Sequence, residues 1–212
     1  MKKYIDRFHY LTQDVPNYSH LELATAACEA GAKWIQYRSK NKTDKTAWLE
    51  EATGLEAICD EYGVTLIICS SVEICKELEE AQGVHLERND MPVKEARRLL
   101  GDAKTIGGSA HTLEDVLVAY DGGADYVGLG PHQPTQTIQH YDQVLGLDDY
   151  RRILEELQKR NVDIPIIAAG GIQLQHVDDL MQTGIAGVAV SSAINLSENP
   201  GAAYREFYRK LH

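Results

Sequence analysis

Gln36, Arg38 and Lys40 stand on alternate residues of the stretch QYRSK, directly after the apolar pair Trp34-Ile35. Side chains alternate along an extended chain, so the three share one face. Two cations and an amide donor are expensive to bury unpaired. Either neighbouring Asp or Glu residues neutralise them, or they clamp a phosphate or diphosphate. Further on, Ser109 precedes His111 by two residues, and a histidine there can act as acid, base or hydrogen-bond donor near neutral pH. The plainer alternative is that His111 caps the following helix or pairs with Asp115. Gly170-Gly171 and Ser191-Ser192 close two apolar runs, where glycine amides and a short helix N-terminus can approach an anion. Gly-Gly alone is used freely in turns; Ser192 on the neighbouring strand gives it weight. Finally, VGLG (127–130) runs into PHQPTQTIQHYD, a loop rich in hydrogen-bonding groups.

These residues fall at the ends of strand-like segments. Short apolar runs at 8–13, 34–38, 66–70, 83–87, 105–110, 126–131, 164–171 and 187–194 alternate with amphipathic stretches, predicting eight strands and eight helices. Punctuation agrees: Gly63 ends the helix of 43–61, Pro92 suits a first helical position, Thr112 can cap and Gly122 can terminate. IPIIAA and GVAV are apolar on successive residues, which suits strands buried on both faces of a parallel sheet. Eight βα units close most simply as a compact (β/α)8 TIM barrel, a single domain over residues 1–212. A doubly wound open sheet is the competing topology. In either, the active site lies at the carboxyl ends of the strands. That rim gathers Thr12 and Asp14, the Gln36–Lys40 clamp, Cys69 and Ser70, His85, Arg88 and Asp90, Ser109 and His111, the polar loop, and the glycine and serine pairs.

The formal charge of −11 over 212 residues argues against nonspecific binding to nucleic acid or anionic membranes. An anionic ligand must be held by a local cluster. Cys28, Cys59, Cys69 and Cys75 lack C-x-x-C spacing and read as buried free thiols of a reducing compartment. With no signal-peptide pattern or long apolar run, the expectation is a cytoplasmic enzyme or binding protein.

In order along the chain, Y-L-T, Q-Y-R-S-K, G-V-H-L, G-G-S-A-H-T, G-A-D-Y-V-G-L-G-P with P-T-Q-T, I-A-A-G-G-I and G-V-A-V-S-S-A-I resemble the thiamine-phosphate synthase family, which includes TenI-type thiazole tautomerases. The resemblance implies a barrel that couples hydroxymethylpyrimidine diphosphate to hydroxyethylthiazole phosphate, releasing diphosphate with magnesium. It assigns Gln36, Arg38, Lys40 and Ser109 to the pyrimidine diphosphate, Thr135, Thr137, Gly171 and Ser192 to the thiazole phosphate, and Asp90 to the metal.

Three positions depart from the family pattern. Cys69-Ser70 stand for Asn-Asp, whose Asp binds magnesium. Glu87-Arg88-Asn89-Asp90 stand for Gly-Gln-Glu-Asp, keeping only the last carboxylate. Ile138 and Gln139 replace a lysine. The implied magnesium site is therefore weak, with Arg88 supplying some of the missing positive charge. The runner-up is a TenI-like tautomerase, metal-free, with His111 as proton carrier; a noncatalytic binder or regulator of a thiamine precursor is third. A homodimer is a further expectation, with Trp34, Trp48 and the C-terminal tyrosines as interface or core.

Overall fold

Eight parallel strands close on themselves in chain order, β1 pairing with β2 on one side and with β8 on the other. The computed structural model describes residues 3–40, 44–135 and 143–212. The strands are β1 (Phe8–Leu11), β2 (Trp34–Tyr37), β3 (Thr65–Cys69), β4 (Gly83–Leu86), β5 (Thr105–Ala110), β6 (Tyr126–Leu129), β7 (Ile166–Ala168) and β8 (Gly187–Val190). The helices are α1 (His20–Glu29), α2 (Lys45–Tyr62), α3 (Val72–Glu77), α4 (Val93–Leu100), α5 (Leu113–Asp121), α6 (Leu147–Lys159), α7 (Val177–Met181), α8 (Ser192–Asn195) and α9 (Pro200–Leu211). This is the (β/α)8 TIM barrel; the open sheet is excluded by the β1–β8 ladder.

Local sequence explains where the helices start and stop. Ser19 with Glu22, and Thr112 with Asp115, form capping boxes that satisfy the first amides of α1 and α5. Gly63 ends α2 in the left-handed region at φ 64°.

Two expected boundaries move. The run 164–171 yields a strand of only Ile166–Ala168, because Pro165 has no N–H for a ladder and Gly170 and Gly171 turn to φ 85° and 67°. The run 187–194 stops at Val190, and its end becomes α8, one helix more than expected.

Alternation along the strands divides the core in two. Outward residues such as Ile35, Leu66, Ile68, Val84, Ile106 and Val127 pack beneath the helices. Inward, Trp34, Ile67, Tyr126 and Ile167 form a separate cluster inside the barrel. Trp34 is fully buried there, so it offers nothing to a dimer interface, whereas half-buried Trp48 packs against the outer core. All four cysteines are buried free thiols. Among the described residues no helix is long and apolar enough to cross a membrane.

Candidate active site

A cleft opens at the carboxyl ends of the strands, and its described lining holds three cations, Arg38, Lys40 and Arg88, against two carboxylates, Glu87 and Asp90. The inward face of β2 delivers Gln36 and Arg38, but to different depths. Gln36 is buried in the barrel and bonded to His9 and Tyr126. Arg38, one step nearer the mouth, reaches the carboxylate of Glu87, with Nε at 2.9 Å and a terminal nitrogen at 2.8 Å. The Lys40 ammonium lies 3.9 Å from the other oxygen of Glu87. The two cations thus converge, and Glu87 is the neighbouring acid that partly neutralises them.

Asp14 fixes the outer end of this clamp. Its carboxylate accepts from the Lys40 amide at 2.7 Å and the Ser39 hydroxyl at 2.8 Å, and lies 3.1 Å from His20 Nε2. These bonds hold its carboxyl below the ordinary range, against the opposing effect of partial burial, which is the largest single influence. Thr12 does the same for Arg38, its hydroxyl oxygen accepting the Arg38 amide at 3.2 Å.

Asp90 lies across the cleft. Its carboxylate accepts the Glu87 amide at 2.7 Å, and the neighbouring Ser70 side chain also favours its ionised form. Its pKa is raised, first by desolvation, which outweighs both. Among the described residues no group of three or more His, Cys, Asp or Glu side chains is arranged to hold a metal. One carboxylate with a hydroxyl beside it does fit magnesium that draws its remaining ligands from water and substrate phosphates. Arg88 lines the cleft with a terminal nitrogen 3.9 Å from Asp115.

Ser109 and His111 both line the cleft, although β5 ends between them at Ala110. His111 Nδ1 bonds to the carbonyl of Gly130, which can only accept, so Nδ1 carries the proton and Nε2 is the lone pair of the neutral ring. The His111 amide donates to Asp115 at 2.9 Å, the partner named by the plainer reading, through its backbone.

Opposite these, Gly171 at φ 67° lies beneath Gln133, and a Cβ there would come within 2.7 Å of the Gln133 Cβ. The His132 and Gln133 amides donate to the Ala169 and Gly170 carbonyls at 2.9 and 3.1 Å, laying the loop after β6 onto the β7 turn. Ser192 opens α8, which Asn195 anchors to β1 by donating to the Leu11 carbonyl at 2.8 Å. Gly170, Gly171 and Ser192 line the cleft; half-buried Thr135 does not, and Thr137, Ile138 and Gln139 lie outside the described residues.

The family model described as thiamine monophosphate synthase matches residues 10–194. The chain belongs to the thiamine monophosphate synthase family. Within it, the chain is similar to the thiamine-phosphate synthase of Phocaeicola vulgatus, 42% identical over 193 residues that cover 91% of this chain and 92% of the relative. It is likewise 42% identical to the thiamine-phosphate synthase of Flavobacterium psychrophilum, over 97% of this chain and 99% of that one. Among solved structures it resembles thiamine phosphate pyrophosphorylase from Pyrococcus furiosus, with a TM-score of 0.85 and 31% identity, covering 97% of this chain and 95% of the other.

Two contributors to the family's cleft here escaped the sequence reading. Glu87 had no role beyond its place in a departed motif, and Tyr126 read only as strand. Period-two alternation carries the signal for both, since Tyr126 is an inward position of β6 and Glu87, one residue past β4, continues the inward face of His85.

Proposed function

We propose that this protein is a thiamine-phosphate synthase that joins hydroxymethylpyrimidine diphosphate to hydroxyethylthiazole phosphate. The observation that carries the reading is the convergence of Arg38, Lys40, Asp90 and Ser109 on one strand-end cleft, in a chain whose family match spans 10–194. In the reaction, the bond between the pyrimidine methylene and the diphosphate oxygen breaks, and its electron pair leaves with diphosphate. The resulting carbocation is stabilised by the aminopyrimidine, and the thiazole nitrogen lone pair closes the new C–N bond.

No proton is moved in these two steps, so the protein's task is charge neutralisation and positioning. Arg38 and Lys40 bind the leaving diphosphate once it displaces Glu87, and Asp14 and Thr12 hold the clamp's backbone in place. Ser109 donates to the same group. Magnesium, when bound, would be held by Asp90 and would neutralise further charge on the leaving group. Gly171 and Ser192 of the cleft lining are assigned to the thiazole phosphate, and the resemblance adds Thr135, which stands outside that lining, and Thr137. Gln36 contributes from below, through the buried bonds it makes. The reading includes a single domain over 1–212, a homodimer, and a cytoplasmic location, where four unpaired thiols stay reduced.

The test is incubation of the purified protein with both substrates across a magnesium series. Magnesium-dependent thiamine phosphate is expected; none at any magnesium concentration overturns the reading. His111 supplies the contrast with a thiazole tautomerase, whose proton transfer its Nε2 lone pair could carry. Positioned acid–base groups contribute on the order of 10²–10⁴-fold. His111→Ala should leave coupling at about a tenth of its rate or better, because bond making needs no base. A hundredfold loss of coupling would put proton transfer into the rate.

A further inference from the structure

Below the mouth, side chains from β2, β6, β4 and β5 form a buried chain of hydrogen bonds with one direction. The Gln36 amide nitrogen is 3.1 Å from His9 Nδ1 and donates to the Tyr126 phenol oxygen, also at 3.1 Å. The Gln36 carbonyl oxygen is turned the other way, toward the Cys69 thiol at 3.6 Å. An amide NH2 cannot accept, so the phenol must spend its proton elsewhere, and His85 Nδ1 lies 3.1 Å away. With Nδ1 accepting, the neutral ring carries its proton on Nε2, which lies 2.9 Å from Ser109 Oγ. Ser109 is thereby the acceptor of that bond, and its own proton is left to point into the cleft that it lines.

The surrounding sequence makes room for this chain. A Cβ on Gly107 would lie 2.5 Å from the Tyr126 oxygen and 2.6 Å from His85 Nδ1, and one on Gly128 would lie 3.2 Å from the His85 ring. Burial in the barrel pushes the His85 pKa down to about 4, so the ring is neutral at physiological pH. A polar chain in this position is costly compared with apolar filling, and its geometry is satisfied link by link.

We propose that His85, held in one tautomer by Tyr126 and Gln36, is a positioning residue that presents the Ser109 hydroxyl as a donor to the substrate's diphosphate. The proposal rests on the synthase reading for the identity of the anion. Without the relay, Ser109 could as well turn its proton inward to His85 and offer a lone pair to the anion, which repels it.

Two measurements on the full chain decide it. Long-range ¹H–¹⁵N spectra of the ¹⁵N-histidine-labelled protein should show His85 protonated at Nε2 and bare at Nδ1; the opposite tautomer reverses the chain and overturns the proposal. Calorimetric titration with inorganic diphosphate should show about tenfold weaker binding in Tyr126→Phe and in Ser109→Ala, the loss of one hydrogen bond to a charged group. Their double variant should be no weaker than Ser109→Ala. Penalties that add fully would mean that Tyr126 acts through packing alone, and would overturn the proposal. His85→Gln, whose amide replaces the Nε2–H donor, should retain binding that His85→Leu loses; equal loss in both counts against it. The synthase reading fails separately, by absence of thiamine phosphate in a protein whose tautomer and coupling are as expected.

Discussion

Arg38 and Glu87 are locked together across the cleft, two guanidinium nitrogens at 2.9 and 2.8 Å from a single carboxylate oxygen. The resemblance puts glycine where this chain has Glu87, so the clamp of this protein carries a resident carboxylate. An incoming diphosphate must exchange with it, trading one bonded anion for another.

Glu87→Gln should therefore lower the KM for the pyrimidine diphosphate, by about two- to tenfold, without raising kcat to match. The carboxylate is 37% exposed, which limits the stability it adds through the pair to about 1 kcal/mol or less. Steady-state kinetics with a urea denaturation curve separate the two effects. An unchanged or higher KM would mean that Glu87 orients Arg38 rather than competing for it.

The strand ends were legible in the sequence because a barrel side chain's direction follows from alternation alone. Gln36, Arg38 and Ser109 could be placed on the inward face without coordinates. What alternation does not give is depth. Gln36 and Arg38 share a face, yet one turns into a buried network and the other to the mouth, a difference set by Tyr126 and Glu87 on strands far away in sequence. Nor could the end of β7 be read from its apolar run, since Pro165 and the left-handed Gly170-Gly171 pair override that run's strand propensity. The identity of Arg38's partner was open for the same reason: 49 residues separate it from Glu87, and closure of the barrel brings them together.

The buried imidazoles set the acid limit of the fold. Burial lowers His9 to about 3, with His85 adding like-charge repulsion, and lowers His85 to about 4, both from an ordinary 6.5. Below pH 6.5 the unfolded chain takes up these protons and the native barrel does not, so stability falls as pH falls. Each group removes about 1.4 kcal/mol per pH unit, His85 until about pH 4 and His9 until about pH 3. His132, also lowered by burial, acts in the same sense, while the raised carboxyl of Asp90 acts in the opposite one. Urea midpoints measured from pH 7.5 to 4.5 should decline steadily below pH 6.5, and less steeply in His85→Gln. A flat profile would mean that the two rings are hydrated in solution.

The metal side of the site is testable through Ser70, whose backbone is already shaped for the missing acid. Its φ of 67° lies in the left-handed region, which Asp and Asn tolerate better than other side chains bearing a Cβ. Its side chain is close enough to Asp90 to favour that carboxylate's ionised form, so an aspartate there would set two carboxylates side by side. Without metal they repel, and one is driven toward its protonated form. With magnesium and diphosphate present, they supply the pair of carboxylates that such a site accepts. Ser70→Asp alone is preferable to pairing it with Cys69→Asn, because buried Cys69 packs on the Gln36 carbonyl and an amide there would disturb the relay. The expected outcome is a lower melting temperature than wild type in metal-free buffer, and a larger rise on adding magnesium with inorganic diphosphate. A tenfold gain in metal affinity corresponds to about 1.4 kcal/mol of added stabilisation at saturation. Equal shifts in both proteins would show that residue 70 and Asp90 do not share a metal, and would leave Asp90 to hold it with water and substrate alone.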